Sequence, residues 1–180
     1  MCANIPTVPP PAAQSSDLPV TVRSFRCSDA PSCRKLYLEG LVGGGRIASN
    51  DTGFDIDDID ASYMKRPGNH FWIAENDRGE VVGMIGVQHH DEGTGEIRRL
   101  RVRPDSQRRG IGGKLVEAAL RYCQEHGYLK VTLDTFMERE PAVKLFQKYR
   151  FHHSRSRTVG GKELMYFYLD LYTGQGKKGE

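Results

Sequence analysis

The sequence has little cysteine and no long apolar run, and both shortages exclude classes of protein. Its four cysteines, at positions 2, 27, 33 and 123, form no CxxC pair and no spacing typical of paired metal ligands. This usage predicts reduced thiols in a cytoplasmic protein, with neither a disulfide framework nor a zinc site. No stretch of about eighteen apolar residues occurs, so we predict no membrane-spanning helix. A secretory signal, with a basic start followed by an apolar segment, is not visible either.

Several motifs that would indicate a particular chemistry are also missing. The sequence has no HExxH zinc motif, no GxxxxGK[ST] phosphate loop and no GxGxxG dinucleotide fingerprint. Its paired histidines, His89-His90 and His152-His153, are adjacent in sequence, and neighbours on a strand point to opposite faces. We therefore expect no metal site.

The composition that is present is typical of a globular protein. Hydrophobic residues make up 38% and charged residues 27% of the 180 positions. The net charge is only +3, but the segment from Arg98 to Arg109 contains six arginines and a single acid, Asp105. Such a cluster favours a concentrated anion, and phosphate is the obvious one.

Strand and helix patterns alternate along one predicted domain, residues 20–172. A proline-rich leader, 1–19, and a Gly- and Lys-rich tail, 173–180, are expected to be disordered. The fold class is α/β (α+β), with a mixed sheet covered by helices on both faces. Predicted strands cover 20–25, 71–75, 81–87, 96–103, 128–134, 153–158 and 164–171. Predicted helices run from Ser28 or Asp29 to the glycines 43–45, around 57–63, over 111–126 and over 141–149.

The segment Gln107–Lys114 joins a strand to the longest helix through a glycine-rich turn. Backbone amides at a helix N-terminus, together with the helix dipole, favour an anion, and glycines let it approach the backbone closely. Arginines at the mouth of such a turn add charge-assisted hydrogen bonds. A pyrophosphate would fit there, although a helix that merely begins after a glycine turn remains the alternative.

The pattern Gln107-x-x-Gly110-x-Gly112, after an apolar strand ending in Val-x-Pro, resembles the acetyl-CoA signature (Q/R)-x-x-G-x-(G/A) of the GNAT superfamily of N-acetyltransferases. The resemblance extends over about residues 20–172 and is most specific over 96–151. It implies a mostly antiparallel sheet of six to seven strands. It also implies acetyl-CoA as the acyl donor and a primary amine as the acceptor.

Carried over residue by residue, the resemblance implies two groups of positions that bind the acyl donor. Backbone groups of Leu100, Arg101 and Val102 would hold the pantetheine arm like an added strand. The pyrophosphate would lie on the loop residues Gln107, Arg108, Arg109, Gly110, Ile111, Gly112, Gly113 and Lys114. The apolar face also changes parity near Arg98-Arg99, which predicts a β-bulge there.

Two carboxylates are candidates for the general base that must take a proton from the ammonium of the acceptor. Glu96 matches the strand position of the base in the histone-acetylating branch of the family. Asp134 matches a carboxylate of ribosomal-protein N-terminal acetyltransferases. Each has a structural alternative, a solvated strand-edge glutamate for Glu96 and a strand-end cap for Asp134.

The family's usual general acid, a tyrosine on the helix after the fifth strand, is replaced here by Phe146. Tyr149, one turn later, is the substitute candidate, although core packing is its ordinary role. Arg139 stands where many relatives have asparagine, and it would contact the phosphate side of the cofactor or be solvated. Arg150 replaces a common glycine, and at a positive φ it would cost about 1 kcal/mol.

Other functions stay open at this point. A catalytically silent acyl-CoA sensor agrees with the departures at Phe146 and Arg139. A nucleic-acid-binding module would use the Arg98–Arg109 cluster, but no stacking-aromatic motif accompanies it. The amine acceptor is not specified, and dimerisation is frequent in the family, so a homodimer is an open alternative.

Overall fold

The computed structural model describes residues 19–42 and 53–172. Seven strands are formed: β1 Thr21–Ser24, β2 His70–Glu75, β3 Val81–Asp91, β4 Thr94–Val102, β5 Lys130–Phe136, β6 His152–Val159 and β7 Lys162–Asp170. The helices are α1 Ala30–Val42, α2 Phe54–Asp57, α3 Ile111–Glu125 and α4 Glu140–Lys148, and a π-helical turn, Asp60–Met64, follows α2. Residues 1–18 of the predicted leader (1–19), the predicted tail 173–180 and the predicted helix stop at 43–45 lie outside the described residues.

All seven strands join one sheet in the order β1-β2-β3-β4-β5-β7-β6. Neighbouring strands are antiparallel except for β4 and β5, which are parallel. The parallel pair requires a crossover connection, and α3 provides it. The predicted mixed, mostly antiparallel sheet with helices on both faces is therefore confirmed.

Alternate residues of the central strands pack into two separate cores on opposite faces of the sheet. On β2, Trp72 and Ala74 lie in the core beneath α3 and α4, while Phe71 and Ile73 lie in the core beneath α1 and α2. This division follows from the period of two along a strand. The apolar face of α3 packs on the first core, with Leu115 and Ala119 fully buried.

Strand β4 contains the β-bulge that the change of parity predicted. Met84 of β3 pairs with Arg101 of β4, and Gly86, two residues later on β3, pairs with Arg98, three residues earlier on β4. Strand β4 therefore carries one extra residue there. Arg99 lies in the bulge with a φ of 60°. Pairing between β4 and β5 covers only Thr94–Glu96 and Lys130–Thr132, so the two strands no longer pair beyond Glu96.

Some local predictions need correction. Strand β3 continues four residues past Val87 to Asp91, because its polar end pairs with the start of β4 across a tight turn. The first predicted helix carries Leu36, Leu38 and Leu41, which its apolar pattern places on or near the buried side, but Leu38 is 48% exposed. None of the helices in the described ranges has the length and apolar character needed to cross a membrane.

Candidate functional site

A cavity of about 190 Å³ occupies the opening between β4 and β5. Residues 96–101 of β4 form one wall and residues 133–136 of β5 form the other. Phe146 and Ala142 of α4 close one side, and Arg157 and Leu164 of the β6–β7 hairpin lie at another. The cavity therefore begins where strand pairing ends, next to backbone groups of β4 that β5 does not engage.

The glycine-rich loop lies between the end of β4 and the start of α3. Gly110 caps α3 with a φ of 76°, a conformation that suits glycine. The first α-helical hydrogen bond runs from the amide of Lys114 to the carbonyl of Gly110, so the amides just before Lys114 lie outside the helical ladder. Arg108 and Arg109 beside them are exposed. This combination is suited to an anion.

Two of the predicted loop residues have other contacts. The side-chain amide of Gln107 donates to the carbonyl of Val102 at 3.1 Å, so it braces the loop against the end of β4. Lys114 lines a second groove, between α3 and β1, which it shares with His70 and Trp72. The structure therefore leaves the amides and the two exposed arginines as the groups best placed for a pyrophosphate.

The arginines between positions 98 and 109 do not form one cationic surface. Arg99 makes a bidentate ion pair with Asp55, at 2.8 and 2.5 Å, and its side chain is only 7% exposed. Arg103 pairs with Asp105 at 2.7 Å and with Glu80 at 3.4 Å. Arg101 donates to the carbonyl of Leu100 and packs against Gly40 of α1. These partners argue against the nucleic-acid alternative, which needs the whole cluster.

Asp55 ties the bulge of β4 to α2. It accepts hydrogen bonds from Arg99 and, at 2.6 Å, from the hydroxyl of Tyr63. Burial alone would raise the pKa of Asp55, but the bonds from Arg99 and Tyr63 outweigh it and hold the pKa below its ordinary value. The guanidinium of Arg99 also lies 5.1 Å from the ring centre of Tyr37 on α1. Sequence analysis did not identify this cluster, since 44 residues separate Asp55 from Arg99.

Glu96 lines the cavity at the last paired position of β4. Its side chain is 26% exposed. Burial raises its pKa, and the negative charge of Asp134 adds to this, while Arg98, His90 and Arg99 act in the opposite direction. The net result is a partly buried carboxyl group with a raised pKa facing the cavity.

Asp134 lies on β5 on the same side of the sheet as Glu96. Glu96 pairs with Thr132, and Asp134 is two residues further along that strand. Both carboxylates line the cavity. The imidazole Nδ1 of His90 lies 3.9 Å from a carboxylate oxygen of Glu96. The structure thus brings the two predicted base candidates together.

Tyr149, predicted as the substitute acid, is not among the residues that line this cavity. Its hydroxyl donates to Glu117 of α3 at 2.6 Å. Burial and the interaction with Glu117 raise the pKa of Tyr149. Phe146, in contrast, is buried in the cavity wall and brings no hydroxyl.

Arg139 lines the cavity at the N-cap of α4. Its carbonyl accepts the amides of Ala142 and Val143, so the start of α4 fixes its position. Arg157 also lines the cavity, although it was not predicted as a site residue. Nearly all residues of β6 are exposed, so no pattern in the sequence distinguished Arg157 from its neighbours. Within the described ranges, no three His, Cys, Asp or Glu side chains are arranged to hold a metal ion.

Comparison with known proteins supports the assignment of this fold. The model of the acetyltransferase (GNAT) family matches residues 30–151. Human N-acetyltransferase 8 is 35% identical over 102 residues, which cover 54% of this chain and 44% of that protein. Rat N-acetylaspartate synthetase is 36% identical over 100 residues, covering 55% of this chain and 33% of that protein. The matched stretch thus spans less than half the length of either relative.

The fold is also found in solved structures. A Salmonella typhimurium protein described as an acetyltransferase, with its cofactor acetyl-CoA, superposes with a TM-score of 0.73. The alignment covers 87% of this chain and 96% of that one at 20% identity, so it supports the fold alone. With a family model that matches more than half of its residues, this chain belongs to the acetyltransferase (GNAT) family.

Proposed function

We propose that this protein transfers an acetyl group from acetyl-CoA to a primary amine by direct attack within a ternary complex. The observation that carries this proposal is the opening between β4 and β5, which contains Glu96 and begins beside the bulge at Arg99. The family match supports an acetyl-CoA donor. Acetyl-CoA is here a substrate that supplies the acyl group as a reactive thioester.

The residues around the opening fit an acyl-CoA. Beyond Glu96, β4 is not paired with β5, so the backbone of Leu100–Val102 is available to an extended pantetheine arm in the manner of an added strand. The amides of the Gly110 turn, with Arg108 and Arg109, would bind the pyrophosphate. Amides of β4 near the bulge would stabilise the oxyanion of the attacked carbonyl.

Glu96 is the proposed proton acceptor. A primary amine with an ordinary pKa of about 10.4 arrives as an ammonium ion and must lose a proton before it attacks. Because burial raises the pKa of Glu96, its carboxylate is a stronger base than that of an exposed glutamate. Asp134, on the same face, is the second candidate and also disfavours a lasting negative charge on Glu96.

In this proposal no tyrosine at the cavity protonates the departing CoA thiolate. Phe146 lacks a hydroxyl, and the hydroxyl of Tyr149 is bonded to Glu117. A thiol has a pKa of about 8.5, so its thiolate is a stable leaving group near neutral pH without protonation by the enzyme.

The direct test is release of CoA thiol from acetyl-CoA with a panel of amines. Glu96→Gln is expected to lower kcat/KM by about 10²- to 10⁴-fold, the usual contribution of a general base. Wild-type activity should rise with pH through the raised pKa of Glu96, and the variant should lose this limb of the profile. Asp134→Asn tests the second candidate, and Glu92→Gln, in the exposed β3–β4 turn, is the matched control. Full activity of Glu96→Gln from pH 6 to 9 would exclude Glu96 as the base.

An acyl-CoA-binding protein without turnover is the second candidate function. The phenylalanine at the usual acid position and the engaged hydroxyl of Tyr149 favour it. Saturable CoA binding with no thiol release from any amine in the panel would support this candidate over catalysis.

A further inference from the structure

The arginines around the cavity differ in how their charge is balanced. Five of them line it, namely Arg98, Arg99, Arg101, Arg139 and Arg157. Arg99 is neutralised by Asp55. Arg157 is exposed and, within the described ranges, forms no ion pair with any carboxylate. It therefore places an unbalanced positive charge at the edge of the cavity.

Sheet register places Arg157 on the same face as the two cavity carboxylates. Phe136 of β5 pairs with Leu164 of β7, and Leu164 pairs with Arg157 of β6, so these three residues share one face. Asp134 is two residues before Phe136 on β5 and shares that face as well. Two strand spacings, about 10 Å, separate β5 from β6. A small molecule can span this distance once the long arginine side chain is included.

Aromatic packing restricts the side chain of Arg157. Its guanidinium lies 5.9 Å from the ring centre of Tyr166 on β7. Tyr166 pairs with Asp134 across β5 and β7, so these two residues share one face of the sheet. Arg155 contacts the same ring at 4.6 Å but does not line the cavity. Arg157 is thus the arginine of this hairpin that faces the cavity.

Building on the proposed amine acetylation, we propose that the acceptor carries an acidic group in addition to its amine, and that Arg157 binds that group. The carboxylates Glu96 and Asp134 attract the ammonium end, and Arg157 attracts the acidic end on the same face of the sheet. The acceptor class is therefore an amino acid or a similar zwitterion. Charge separation across the cavity orients the amine toward Glu96.

The test compares amino acids with their α-amides, such as glycine with glycinamide and alanine with alaninamide, as acceptors. The ratio of kcat/KM for acid over amide is the readout, because it cancels general effects on catalysis. The glycinamide amine is less basic and more fully deprotonated at neutral pH, so the chemistry alone favours the amide. Wild-type protein is nevertheless expected to prefer the acid.

Arg157→Gln should reduce the acid-over-amide ratio by about 10- to 100-fold, as expected for the loss of a charge-assisted hydrogen bond. Arg157→Lys should restore part of the ratio because it keeps the charge. Arg155→Gln is the matched control and should leave the ratio unchanged. Thermal unfolding of each variant checks that the fold is retained.

Two results would overturn the inference, and they are distinguishable. If amides are acetylated as well as acids and the ratio does not respond to Arg157→Gln, the acidic-acceptor inference is wrong while the acetyltransferase proposal stands. If no acceptor produces CoA release above background, the proposed function itself fails, and the inference fails with it.

Discussion

At the scale of single residues, the environment of a side chain separates positions of the same chemical type. Glu96 is partly buried with a raised pKa, while Glu92, in the exposed turn before it, is solvated. Arg99 and Arg150 both have positive φ, 60° and 63°, but only Arg99 has a buried carboxylate partner. The sequence identified Glu96, Arg99 and Arg150 as positions of interest, but burial and contact partners decide what each side chain does.

Replacing Glu96 with glutamine should stabilise the fold at neutral pH while removing activity. The folded-state pKa of Glu96 lies above that of the unfolded chain, so ionisation favours unfolding. The free energy of unfolding therefore falls as the pH rises from the pKa of Glu96 in the unfolded chain to its pKa in the folded protein, and it stays lower above both values. Urea unfolding should show Glu96→Gln more stable than wild type at pH 7, with the difference gone near pH 4. An equal or lower stability at pH 7 would contradict a raised pKa, and Glu92→Gln provides the baseline.

Arg150→Gly should stabilise the protein by about 0.5–1 kcal/mol. Arg150 has a φ of 63° just after α4, where its amide donates to the carbonyl of Gln147. Glycine adopts this left-handed conformation without the steric cost that other residues have, although it loses more entropy on folding. Equilibrium urea unfolding measures the change, and Arg150→Ala, which keeps the steric cost, should show no comparable gain. A destabilised Arg150→Gly variant would show that the arginine side chain contributes more than the strain costs.

At the scale of elements, the bulge of β4 determines where the candidate site lies, because the cavity begins beside it. The change of apolar parity near Arg98 allowed it to be predicted, because only an extra residue restores a common buried face. The sequence also allowed prediction of the span of α3 and of the glycine-rich turn at its start. The ion pair that holds the bulge against α2 was not predictable, since local patterns carry no information about partners 44 residues apart.

Breaking this ion pair should be costly. Asp55→Asn leaves the guanidinium of Arg99 buried without its counter-charge, and such changes cost about 3–5 kcal/mol. Asp57→Asn is the matched control, because Asp57 pairs with Arg34 at an exposed position, where ion pairs contribute about 0–1 kcal/mol. Urea unfolding of both variants at pH 7 gives the comparison. Similar small losses in both would mean that the Asp55–Arg99 pair does not hold the bulge.

Phe146 and Tyr149 show the limit of what the family resemblance predicts about the general acid. The resemblance placed Phe146 at the position of the usual acid, and Phe146 does line the cavity, in the wall formed by α4. Tyr149 was a candidate for the substitute acid, with core packing as the alternative. Three residues along a helix rotate its side chain toward α3, where Glu117 accepts a hydrogen bond from its hydroxyl. Arg157 was not predicted as a site residue, because β6 is almost entirely exposed and has no apolar alternation that would indicate its buried face. Its register is set by pairing with β7.

At the scale of the whole molecule, one sheet serves two purposes. The face under α3 and α4 builds the larger core, and the end of the β4–β5 pair opens into the cavity. The overall architecture was accessible from sequence because strands and helices alternate with clear periodicity. The environment of the arginines was not, since four of the six between positions 98 and 109 have partners on other elements or in the following turn.

Calorimetric titration of the folded protein with CoA tests acyl-donor binding most directly. Saturable binding at a single site is expected. The double variant Arg108→Glu/Arg109→Glu should weaken it by about 100-fold or more, since each exposed arginine is proposed to donate a charge-assisted hydrogen bond to the pyrophosphate. Arg78→Glu, in the exposed turn between β2 and β3, should bind CoA like wild type. Absence of saturable heat with a protein that retains its cooperative unfolding transition would contradict acyl-CoA binding at the Gly110 turn, and the proposed acetyl transfer with it.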